Sequence, residues 1–283
     1  MKNAANTLLH AIALCLLAFP MTACTPSGGE GEGEGEGEGE VETFILPGGG
    51  ALEMVTIPAG TFTMGSTNGH PNEEPIHQVT LTRDFQLGQF EITKAQWQAI
   101  MGTTPWTGQS YVLDDPNSPA IYVSWNDAQS FLTALNTHTG ETFRLPTEAE
   151  WEYACRAGTT TEYSFGDSRT NLGDYAWYSD NALNVGQRYA HIVGQKLPNA
   201  FGLYDMHGNV WEWCQDWYGS SYYSSSPSSD PTGPSDGSYR VLRGGSFSVL
   251  GSNCRSAGRD FFYPDFSNYS FFGFRVVRVL PAR

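Results

Sequence analysis

The pattern of apolar and polar positions marks strands first and helices second. Met54-Val55-Thr56-Ile57 and Thr61-Phe62-Thr63-Met64 flank Pro58-Ala59-Gly60, so Ala51 to Ser66 is expected to form two short strands joined by a turn. His77 to Phe85 alternates apolar and polar residues and predicts a further strand. Three helix starts share one local chemistry: Thr93 with Gln96, Ser124 with Asp127 and Thr147 with Glu150 each pair an N-cap hydroxyl with a side-chain acceptor three residues on. The first helix should end at Gly102 and the second near Gly140, because glycine takes the left-handed C-cap without a Cβ clash. In the third, Trp151 and Ala154 share a buried face. From Gly158 onward helical periodicity fades into Gly, Ser, Asn, Asp and aromatics, with short runs at Val210 to Trp213, Arg240 to Leu242 and Phe274 to Val279. Long ordered loops pinned by aromatics, rather than a repeating sheet, are expected there, with Ser220 to Ser238 as a surface excursion. The fold class is α+β with much irregular structure, in a single large domain.

The only long apolar run, Leu8 to Met21, follows Lys2 and ends in Met21-Thr22-Ala23-Cys24. As a helix it covers about 21 Å, short of the roughly 30 Å hydrocarbon core, so it reads as an export signal rather than a span. The small residues before Cys24 resemble a bacterial lipoprotein box, with Met21 where leucine is usual. The resemblance implies that Cys24 is lipidated and anchors the protein at the bacterial cell envelope without a transmembrane helix. The alternative is ordinary cleavage near Ala23. Five Gly-Glu repeats, Gly31 to Glu40, follow as a flexible, self-repelling spacer. The expected division is residues 1–23 signal peptide, 24–50 disordered tether and 51–283 folded domain.

Charge then changes the picture of partners. The chain has 283 residues, 15 Lys and Arg against 30 Asp and Glu, and a net charge of −15. Six of those acids lie in Glu30 to Glu40 and one cation is Lys2, so the body from Val41 carries −10. Such a balance argues against nucleic acid as a partner. With 32 Gly, 8 Trp, 14 Tyr and 16 Phe, the core is built from aromatics, and coiled coils and helical repeats are excluded.

Four segments carry a recognisable pattern: Met54 to Ser66, Arg144 to Arg156, Asn199 to Asp216 and Arg240 to Arg259, closed by Gly273-Phe274-Arg275. Together they resemble the formylglycine-generating enzyme, or sulfatase-modifying factor, family. The resemblance covers Leu52 to Val279. It implies a compact variant of the C-type-lectin-like fold, low in regular secondary structure and often braced by calcium. It also implies an oxidase that converts a protein cysteine to formylglycine through copper(I) held by two thiolates, five residues apart after Gly-Gly-Ser.

Laid on this chain, Gly244-Gly245-Ser246 is followed by Val249 in the first thiolate's place and Cys254 in the second's. Valine has no lone pair, so a two-thiolate copper site is not expected. Ser246 and Trp211 match residues that line the family's substrate pocket. Cys155 and Cys214 lie in other motifs, and pairing among Cys155, Cys214 and Cys254 stays open, as a disulfide or otherwise. Calcium is the expected cofactor. The resemblance assigns it to Asp205, the carbonyls of Gly208 and Val210, and Glu212, with Asn171 for a second site; these are hard oxygen donors. The alternative is that Asp205 caps a turn and Glu212 pairs with an arginine such as Arg243.

The scattered histidines, from His70 to His207, show no metal spacing, so non-haem iron is not expected. Gly244-Gly245-Ser246 is no nucleophile elbow, and no phosphate-binding fingerprint occurs. The chain therefore reads as an exported, lipid-anchored binding or accessory module with a protein or glycan partner. The alternative is an active oxidoreductase of the formylglycine-generating type using Cys254, Ser246 and Trp211.

Overall fold

The computed structural model describes residues Glu40 to Pro281. The leader, Cys24 and most of the Gly-Glu repeat lie outside the described residues. In chain order the elements are β1 (Val41–Ile45), β2 (Ala51–Ile57), β3 (Gly60–Met64), β4 (His77–Leu81), β5 (Phe85–Gly88), α1 (Lys94–Met101) and α2 (Trp125–Thr139). Then follow β6 (Phe143–Arg144), α3 (Glu148–Arg156), α4 (Leu172–Tyr175), β7 (Trp211–Trp217), β8 (Arg240–Arg243), β9 (Arg259–Phe262), β10 (Phe272–Gly273) and β11 (Val277–Arg278). The mixed α+β class with long irregular stretches is as expected.

The three capping boxes form as read. Thr93, Ser124 and Thr147 each accept from the backbone N–H three residues on, and Gln96, Asp127 and Glu150 bond back to the cap. Gly102 and Gly140 end their helices in the left-handed region, at φ +66° and +74°.

A five-stranded sheet runs β1-β2-β5-β11-β6; its edge strand β1 is mostly exposed, whereas β2 and β5 bury residues on both faces. Because successive strand residues point to opposite sides, β2 feeds two cores. Leu52 and Met54 join Trp97, Phe131 and Leu135 on the side of α1 and α2. Val55 and Ile57 join Trp151, Ala154 and Leu87 on the side of α3. A second sheet, β10-β7-β8-β9, repeats the device: Trp211 and Trp213 enter the first core and Cys214 the second.

Four expectations are corrected. Val41–Ile45 is a strand paired antiparallel with β2, so ordered structure begins before Ala51 and the tether is shorter than its expected range. The two strands around Pro58-Ala59-Gly60 do not pair with each other; β2 stays in the large sheet while β3 pairs with β4. Likewise His77 to Phe85 is not one strand. It breaks at Thr82, whose N–H and hydroxyl both bond to the Asp230 carboxylate, and Asp84 accepts from Ala59 N–H. Finally, the aromatic C-terminal half does build a sheet. Its strands are short and their pairing partners distant in sequence, so no local pattern announces them.

Candidate functional site

The arginines and acids of the sequence motifs form buried ion pairs in the structure. Helix α3 turns Glu148 and Glu152 inward, four apart on one face. Glu148 takes Arg259 at 2.5 and 2.8 Å, and Glu152 takes Arg243 at 2.5 Å and Arg156 at 2.8 Å. Glu73 holds Arg255 at 2.9 and 2.6 Å. Burial of Glu152 is outweighed by Arg156 and Arg243, which keep its carboxyl below its ordinary value.

The loop before β7 brings most of the residues expected for calcium together. Asp205 and Asn209 both sit at positive φ, +58° and +56°, which short polar side chains tolerate. Gly208 lies at φ +114°, and a Cβ there would fall 2.2 Å from the Trp177 carbonyl oxygen. Asp205 is buried; its Oδ2 accepts from Gly194 N–H at 2.7 Å and its Oδ1 has no partner. Glu91, also buried, accepts from Asn209 Nδ2 at 3.2 Å through Oε1, while Oε2 is unpartnered. Burial pushes the Asp205 carboxyl up to about 6, and burial followed by the nearby Asp205 charge raises Glu91.

Glu212 is differently placed. Both its oxygens meet Arg275, each at 2.7 Å, and Oε2 also accepts from Trp151 Nε1 at 2.9 Å. The arginine partner considered from sequence was Arg243; that residue serves Glu152 instead. Asn171 stands apart from this loop, exposed at the N-cap of α4 and making no side-chain cap bond. Among the described residues, no three His, Cys, Asp or Glu side chains gather as a metal-binding group.

The three described cysteines are free, buried thiols, which closes the pairing question left by the sequence. Cys254 is fully buried, its Sγ 3.9 Å from the Leu250 carbonyl, and burial pushes the thiol up to about 12. Cys155 lies 3.9 Å from both ring nitrogens of His207, and its thiol is also pushed up to about 12 by burial. Val249 packs against the first apolar core, and its carbonyl accepts from Ser179 N–H at 2.9 Å. Ser246 is buried and shares a 3.0 Å hydroxyl contact with Ser248.

Of the expected pocket residues, Trp211 lines an open cleft of about 500 Å³. Its other walls include His70, Asn72, Asn253, Arg255, Arg259 and Asp260. Both guanidinium groups are already committed to buried glutamates, so His70, Asp260 and Asn72 are the groups free to meet a ligand. Asn72 donates to the Tyr218 hydroxyl at 3.0 Å, and its buried Oδ1 has no partner. Sequence reading missed Glu91, Asn72, His70 and Asp260. Only the helical spacing of Glu148 and Glu152 and the density of arginines from Arg240 to Arg259 carried a signal.

A pattern described as the sulfatase-modifying factor enzyme 1-like domain matches residues 48–280. Formylglycine-generating enzyme of Streptomyces coelicolor is 34% identical over 284 aligned positions, covering 79% of this chain and 88% of that one. Among solved structures, variable protein 1 of Treponema denticola superposes with a TM-score of 0.76 at 29% identity, covering 84% of this chain and 98% of that one. PvdO from Pseudomonas aeruginosa gives 0.75 at 28% identity, covering 86% and 99%.

Proposed function

The chain belongs to the sulfatase-modifying factor enzyme 1-like family, and from that premise we propose that it is a binding or accessory module rather than a copper oxidase. The observation that carries this reading is the pair Val249 and Cys254. Val249 offers no donor atom and packs against the apolar core, which leaves the single thiol of Cys254 where the centre needs two, a set that does not fit a two-thiolate copper(I) centre. The cleft beside Trp211 supplies a place to bind without supplying chemistry.

Calcium belongs to this proposal as a brace. The unpartnered, buried oxygens of Asp205 and Glu91 fit a hard cation, with Gly208 and Val210 on the same loop. Glu212 would contribute charge, since its oxygens already serve Arg275 and Trp151. Thermal unfolding of the full chain with and without chelator checks this; an unchanged midpoint counts against the ion. Export and lipid anchoring at Cys24 complete the reading. Among the described residues no helix is long and apolar enough to cross a membrane. Metabolic labelling with an alkyne fatty acid should mark the parent and not Cys24→Ser.

The deciding experiment is to give the purified protein copper(I), oxygen and a Cys-x-Pro-x-Arg peptide. No aldehyde mass shift is expected, and a clear one overturns the reading. The relatives named formylglycine-generating enzyme favour that rival, an oxidase acting on protein cysteine. It requires stoichiometric copper lost in Cys254→Ser.

A further inference from the structure

Two tyrosines are held in a backbone conformation that bulky side chains avoid. Tyr111 has φ +58° and Tyr122 φ +59°, and left-handed backbone at such residues is strained unless something compensates. Neither ring is thereby buried: Tyr111 is 56% exposed and Tyr122 is half-buried. Tyr122 joins two segments, because its N–H donates to the Tyr269 carbonyl at 3.2 Å and its hydroxyl to the Ser110 carbonyl at 2.6 Å.

Around that junction the aromatic rings continue across the surface. Tyr269 stacks on Phe271 at 4.5 Å and meets Phe266 at 4.9 Å, and Tyr263 beyond them is 50% exposed. The two segments that build this face, residues 103–119 and 260–274, contain no lysine or arginine. They contain four aspartates, of which Asp114, Asp260 and Asp265 are exposed and Asp115 half-buried.

Nearby cations are already spent. Lys94 is buried and held by the Leu113 carbonyl, Arg259 is locked to Glu148, and Arg240 lies between the rings of Trp125 and Trp217 at 3.8 and 3.4 Å. The last contact shows within this molecule what such rings accept. Aromatic faces attract cations, and the four carboxylates of the rim, set against the Lys94 ammonium beside Asp114 and Asp115, leave a net negative charge that adds to that attraction.

We propose that the face formed by Tyr111, Tyr122, Tyr263, Phe266, Tyr269 and Phe271 is a docking surface for a basic polypeptide segment, whose Lys and Arg side chains lie on the rings between the aspartates. Tyrosine suits this use because it offers a large contact at little cost in side-chain freedom. The inference rests on the reading of the chain as a binding module. Aldehyde formation on the cysteine peptide would sink that reading, whereas the measurement below stands or falls on its own.

The probe is a fluorescein-labelled Gly-Arg-Lys repeat peptide, with a Gly-Asp-Glu repeat as its counterpart, titrated with the full chain and followed by anisotropy. The acidic repeat before Val41 is present in every variant, so the readout is the difference between variant and parent. Tyr111→Ala with Tyr263→Ala, and separately Asp114→Asn with Asp265→Asn, should each weaken binding about tenfold. Tyr111→Gly, which relaxes the backbone while deleting the ring, keeps the test valid if Tyr111→Ala folds poorly. Val185→Ala with Leu197→Ala, at other exposed apolar positions, should leave binding unchanged. Parent affinity in the tyrosine variants, an equal loss in the control, or binding of the acidic peptide overturns the proposal. Capture of neutral glycans that is lost in the same tyrosine variants also overturns it, in favour of a sugar platform.

Discussion

Arg275 is fully buried beside Glu212, Glu91 and Asp205, and replacing it with alanine tests how those acids are held. Its guanidinium uses all five N–H donors: Nε and Nη2 on Glu212, Nη1 on the carbonyls of Gly88 and Gln89, and Nη2 again on the Tyr204 carbonyl. It is fully buried, so no water replaces those contacts when the side chain goes. Removing one partner of a buried pair costs about 3–5 kcal/mol, because the other charge is left unpaired. Here Glu212 loses its counterion, three carbonyls lose donors, and Glu91 and Asp205 lose the nearest positive charge. The total should be at least about 4 kcal/mol, a large fraction of the roughly 5–15 kcal/mol that holds a domain folded. Urea unfolding of the full chain at neutral pH measures it. Since the stranded acids can be neutralised by protons, the deficit should shrink when the same comparison is made at acidic pH. A loss below about 1 kcal/mol, or one that does not change with pH, refutes the claim that Arg275 is the charge on which this cluster depends.

Three further outcomes follow from other parts of the fold. Gly208→Ala should cost about 3 kcal/mol or more by urea melt, because its Cβ meets a backbone oxygen at 2.2 Å in a left-handed conformation; Gly102→Ala, left-handed but with nothing within 4 Å, should cost about 1 kcal/mol. Thr147→Ala should cost about 1 kcal/mol, since it removes the hydroxyl that accepts from Glu150 N–H, and circular dichroism should show no change of fold. Burial lowers the Lys94 amine from 10.5 to about 8, so between those values the unfolded chain keeps a proton that the folded chain has shed. Stability from this group therefore rises with pH across that window, and Lys94→Met should remove the rise in a series of thermal melts.

The parts of the fold that sequence made legible are those settled within a few residues. A capping box is a contact between residues three apart, and Thr93, Ser124 and Thr147 behave accordingly. Strand pairing in the second sheet joins Glu212 to Arg243 and Arg240 to Phe262, with a bulge between Trp213 and Trp217, and nothing local encodes those matches. Trp211-Glu212-Trp213-Cys214 looks irregular because both of its faces are buried, Trp211 and Trp213 in one core and Cys214 in the other, with Glu212 paired to Arg275. Val41–Ile45 was hidden by the Gly-Glu repeat beside it, whose composition says spacer up to the residue where pairing with β2 begins.

Site residues were harder, for a reason that Glu212 and Asp205 illustrate. Both are buried acids in one loop and strand, and a sequence motif assigns them the same role. Their surroundings differ: Arg275 gives Glu212 two charge-assisted bonds, whereas Asp205 and Glu91 each keep one oxygen without any donor. Three acids thus face one guanidinium, with the Lys196 ammonium as a second cation near Asp205, and that balance is not a property of any one residue. It arises only when Glu91, from the turn before α1, is folded against the loop at Asp205 and the end of the chain at Arg275. The unpartnered oxygens, more than the motif, are what make Asp205 with Glu91 the place to look for a cation, and they predict that Asp205→Asn should remove any stabilisation by added calcium while Asn171→Ala leaves it intact.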